Sequence, residues 1–115
     1  MSPVGHSIVG ATIATSLWRS EQSLKERGMI MLAMVVAANM PDLPFPYWGH
    51  ERYDISHNVY TGLLVVLVYS LFVRSSSLRK TTAGTWSFVA AGAIAVFSHY
   101  FLDNLYNHGK GLAAF

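Results

Sequence analysis

Residues 84–105 read GTWSFVAAGAIAVFSHYFLDNL, and the fold turns on how that run is taken. It shows no strict alternation of apolar and polar residues and far exceeds an ordinary strand, so it reads as a helix. Its centre is built from Ala90, Ala91, Gly92, Ala93 and Ala95, small residues that let a neighbouring helix come close. Its end is unusual. Where a cap or a solvated charge would normally stand, the run finishes in His99 and Asp103. These are groups that bind metals or move protons, and four positions apart on a helix they share one face.

Working outward, three more apolar stretches precede this one: residues 4–18, 28–40 and 58–73. None alternates, and all are too long for strands, which predicts an all-α chain of four helices. The fourth reaches the roughly 20 residues that a membrane span needs, the third comes close, and the first two fall short. At 115 residues the chain is one domain, with room for one four-helix core. Hydrophobic residues make up 52% and charged residues 12%, about half the charged share of an average soluble domain. The expectation is a single helical, membrane-associated domain over residues 1–115, folded as an antiparallel four-helix bundle. A net charge of +2 with no basic stripe argues against nucleic-acid binding by a basic face. The absence of cysteine excludes disulfides and thiolate metal sites. Residues 1–18 lack the basic start of a signal peptide and are kept as part of the fold.

An antiparallel layout sorts the charges. Arg19, Lys25 and Arg27 fall between the first two helices, and Arg74, Arg79 and Lys80 between the last two, all at one end. The other end carries Asp42, Glu51, Asp54 and Asp103, with only Arg52 and Lys110 as bases. All five histidines, at 6, 50, 57, 99 and 108, fall at that acidic end. Independent placement would do this about one time in sixteen, which marks the end as a candidate site. The positive-inside bias puts the basic loops in the cytoplasm of a bacterial inner membrane, so the acidic end faces outward.

Taken singly, each group at the acidic end has an ordinary explanation. An HxxxD pair occurs on many surface helices, Pro41-Asp42 is common turn punctuation, and Ser56 ahead of His57 can be merely a helix cap. Taken together, each helix delivers a nitrogen or oxygen donor to the same place, as bundles do when they build metal sites. His6, Asp42, His57, His99 and Asp103 are the candidate ligands. Met29, Met31, Met34 and Met40 read as core filling, and Trp18, Tyr47, Trp48 and Tyr53 as an interfacial belt or loop packing.

These residues resemble the YdjM-type membrane-bound, metal-dependent hydrolases. The likeness lies in Gly5-His6, Pro41-Asp42, Ser56-His57-Asn58 and His99 to Asp103 followed by Gly109, in the family's order and across nearly the whole chain. Pro44 stands where the family often has a second aspartate, Arg52-Tyr53 (with His50 nearby) where it has His-Arg, and Tyr106-Asn107 where it has Thr-Pro. Ending at Phe115, the chain reads as a fragment or a short member. The resemblance, with the family's more distant likeness to zinc-dependent phospholipase C and zinc nucleases, implies a divalent metal, zinc, and hydrolysis of a phosphoester or lipid substrate by metal-activated water. Asp103 or Asp54 is the expected proton acceptor. Two other classes stay open: a non-catalytic helical membrane protein, and a module that handles metal or protons.

Overall fold

The computed structural model describes residues 3–42, 58–75 and 85–106, and within these the chain is all-helical. Four α-helices follow one another: α1 Pro3–Thr15, α2 Leu24–Asn39, α3 Val59–Ser75 and α4 Thr85–Tyr106. A short 3-10 turn, Met40–Asp42, closes α2.

The helix ends follow from local chemistry. α1 stops at Thr15, earlier than residue 18, where hydroxyls turn back on the backbone: Thr15 Oγ1 donates to Thr12 O and Ser16 Oγ to Ile13 O. Gln22 then braces the connection, donating to Leu17 O and accepting from Arg19 N–H. α2 starts four residues before Gly28, because Ser23 is its N-cap and its hydroxyl accepts from Glu26 N–H at 3.1 Å. α3 is capped by Asn58, whose side-chain oxygen accepts from Thr61 N–H at 2.8 Å. Ser56, weighed as a cap from the sequence, lies outside the described residues.

Packing is antiparallel between neighbours. Gly10 of α1 lies against Met34 and Val35 of α2, and Ser7 is bonded to Asn39, so residue numbers rise on one helix as they fall on the other. In the same way Gly62 of α3 faces Phe97 and Tyr100 of α4, while Tyr69 faces Gly92 and Phe88. α1, α2 and α4 pack on one another, and α3 packs on α4 and touches the 3-10 turn. The core is Ala14, Ile30, Met34, Ala37, Ala38, Tyr69, Val73, Phe88, Ala91, Ala95, Val96 and Tyr100. Met29, Met31 and Met40 line its edge.

Small residues set the helix spacing. A Cβ on Gly10 would lie 2.6 Å from Met34 O, and one on Gly92 would sit inside the Tyr69 ring. That ring is also pinned by its hydroxyl, which donates to Phe88 O at 3.2 Å.

None of the described helices is long and apolar enough to cross a membrane. α4 has the length, 22 residues, but Ser87, Gly92, Ser98, His99 and Asp103 dilute its apolar character, and α3 has 17 residues. The expectation that the fourth stretch forms a span is therefore not met by α4 as described.

Candidate metal centre

The polar end of the bundle is assembled from three elements. α4 contributes His99 and Asp103, one turn apart and both fully buried. α1 contributes His6, also fully buried. Asp42 comes from the 3-10 turn, where Pro41 halts α2, and its side chain keeps 16% of its surface exposed.

His99 is fixed by the backbone of another helix. Its Nδ1 lies 2.8 Å from Ala38 O. A carbonyl can only accept, so Nδ1 carries a proton and Nε2 is the nitrogen left facing the carboxylates. That Nε2 stands 3.6 Å from Asp42 Oδ1 and 3.5 Å from Asp103 Oδ2. Across the site, His6 Nε2 is 3.2 Å from Asp103 Oδ1. The two imidazoles stack, centroids 3.7 Å apart and planes at 19°.

These separations have a physical reading. Neither ring nitrogen of His6 makes a hydrogen bond among the described residues, although the ring is wholly buried. A buried polar ring left so is costly, and buried polar groups in folded proteins nearly always have partners. Zinc bonds to nitrogen and oxygen of about 2.0–2.2 Å put tetrahedral ligands about 3.3–3.6 Å apart. His99 Nε2 and Asp42 Oδ1, 3.6 Å apart, stand at that spacing. Two imidazoles and two carboxylates gathered in this way suit a divalent ion. His6, Asp42 and His99 alone offer ligand atoms all within 4.8 Å of one another, a group that could hold a metal ion. Asp103 reaches both histidines, one carboxylate oxygen to each.

Tyr100 forms one wall, its ring edge-on to His99 with centroids 5.9 Å apart. Burial, and then the Asp42 carboxylate, push its phenol well above the ordinary tyrosine value. It stays a neutral hydroxyl beside the acidic group.

Of the five ligands expected from the sequence, the structure brings together His6, Asp42, His99 and Asp103. His57, and Asp54 as the alternative proton acceptor, lie outside the described residues. Sequence reasoning missed Ala38, whose part is played by a backbone carbonyl and leaves no residue-type signal. It also missed Ser7 and Asn39, whose neighbours in the chain, His6 and Ala38, both belong to the site.

No family model, curated protein or solved structure matches the chain.

Proposed function

We propose that the chain is a membrane-associated, metal-dependent hydrolase that acts on a phosphoester. The observation that carries this is the gathering of His6, Asp42 and His99, with ligand atoms all within 4.8 Å of one another, beside the buried Asp103. His6, Asp42 and His99 would hold the ion, zinc on the nature of its donors, and three protein ligands are the number that leaves a position open for chemistry. When bound, such an ion supplies Lewis acidity and activates water for attack on an ester. Asp103 is the proton acceptor, and its two oxygens also orient both imidazoles, the part that carboxylates commonly play beside metal-binding histidines. The order of the motifs, likened above to the YdjM-type hydrolases, supports the same reading. The test is turnover of bis(p-nitrophenyl) phosphate by purified protein, abolished by a chelator and restored by zinc.

Membrane association is supported by the outer faces of the helices. α3 alone exposes Leu63, Leu64, Leu67, Val68, Leu71 and Phe72, each at least 48% accessible, and α1, α2 and α4 add Val4, Ile8, Leu32, Ile94, Phe101 and Leu105. Apolar surface on this scale is rare on a soluble monomer. Charges on the described helices stand in the first turn of α2 and near the ends of α3 and α4. The basic end would face the cytoplasm and the metal centre outward. Single cysteines at Ser76 and Trp48 test this: reagent applied from outside should reach position 48 alone, and labelling of 76 alone reverses the orientation.

A second reading, a metal-binding module without turnover, is favoured by the complete burial of His6, His99 and Asp103, which leaves only Asp42 partly open. Stoichiometric zinc without any phosphoester turnover would select it.

A further inference from the structure

His99 is tied to a backbone carbonyl, Ala38 O, whereas the ring of His6 meets only the side chains of Asp103, 3.2 Å from its Nε2, and His99, on which it stacks. Those contacts form only if α1 is held in the right register against α2. His6 rides on the first turns of α1, and the residue beside it is joined to α2: Asn39 Nδ2 donates to Ser7 Oγ at 3.1 Å, across 32 positions of sequence. The link continues both ways. Asn39 Nδ2 also donates to Val35 O at 2.8 Å, and Ser7 Oγ donates to Pro3 O at 2.7 Å. A chain of hydrogen bonds thus runs from the last turn of α2 to the first residue of α1. Asn39 in turn stands between Ala38, which holds His99, and the turn that carries Asp42. One turn further along α1, Gly10 lets the two backbones approach so closely that a Cβ would meet Met34 O at 2.6 Å.

From this geometry we infer that Ser7 and Asn39 are positioning residues for the metal centre. They clasp α1 to α2 in the register that sets His6 opposite His99 and Asp103. Gly10 fixes how near the helices come, and the clasp fixes how α1 is turned and how far it slides. The inference rests on the metal-site reading and adds a residue pair that touches no metal.

The test uses the full chain, purified and stripped of metal. Zinc affinity is measured by competition with a chromophoric chelator, and cobalt absorption serves as the signature of ligand geometry. Ser7→Ala and Asn39→Ala should each weaken zinc binding about tenfold, the lower end of what supporting residues contribute, and should alter the cobalt spectrum. The double variant should lose little more than either single one, because both changes break the same link. Ser7→Thr, which keeps the hydroxyl, should restore affinity and spectrum. Thr12→Ala is the control, since that hydroxyl bonds Ile8 O within α1; it should behave as wild type. Wild-type affinity and spectrum in both Ser7→Ala and Asn39→Ala, while the wild-type chain binds zinc, would overturn the clasp and leave the metal centre standing. A wild-type chain that binds neither metal would overturn both.

Discussion

Asp103→Asn isolates the charge at the centre of the site. The side chain sits between two imidazoles, 3.2 Å from His6 Nε2 and 3.5 Å from His99 Nε2, with no exposed surface. Asparagine preserves shape and volume, so the zinc-free protein should melt within a few degrees of wild type. What is lost is a negative charge beside the ion, and affinity should fall about ten- to a hundredfold. The loss can be read as heat stability. Zinc at a hundred times the wild-type Kd stabilises the folded state by about 2.7 kcal/mol. A variant bound a hundredfold more weakly keeps about 0.4 kcal/mol at the same concentration, and one bound tenfold more weakly about 1.4 kcal/mol. For a chain of this length the difference corresponds to about 5–10 °C of zinc-induced shift in Tm. The assay is a melt of each protein with and without zinc, beside bound zinc per chain. Equal zinc and equal shifts in the two proteins, or no zinc in either, would refute the metal-centre argument.

Gly10→Ala drives a methyl group into α2 backbone and should destabilise the chain by about 1–3 kcal/mol. Gly28→Ala, with nothing within 4 Å of the added carbon, should instead gain about 0.5–1 kcal/mol from helix propensity. Chemical denaturation of the pair checks both signs. Ser23→Ala removes the cap that accepts from Glu26 N–H and should cost about 1 kcal/mol; an unchanged midpoint would deny the cap its weight.

The helices were legible because apolar runs without alternation and too long for strands leave only the helix, and their ends less so. The apolar pattern places the start of α2 at Gly28, since Leu24 to Arg27 are dominated by charged residues. Yet Ser23-Leu24-Lys25-Glu26 is the serine-to-glutamate spacing of a capping box and carried the signal. At the far end of α1, Thr15 and Ser16 end the helix through their own hydroxyls, a choice that composition alone does not force. In the site, His99 and Asp103 were readable from spacing within one helix, and Asp42 from the proline that stops α2. The stacking of His6 on His99 and the bond to Ala38 O join separate helices. Contacts of that kind depend on the rotation of each helix about its axis, which no local pattern states.

The bond from His99 to Ala38 has a consequence for anyone dissecting this protein by substitution. Ala38 lies among the last four residues of α2, whose carbonyls run out of partners within the helix, and Pro41 three positions on has no N–H to offer. One imidazole therefore turns one nitrogen to the site and, with the other, ties off a helix 61 residues earlier in the chain. Removing it conflates two losses, because an alanine at 99 frays the end of α2 and carries Asp42, three residues on, out of place. His6 has no backbone partner among the described residues, so alanine there removes a proposed ligand without freeing a helix carbonyl. Knockout experiments that begin at 99 would report a folding defect as a chemical one; those that begin at 6 would separate the two.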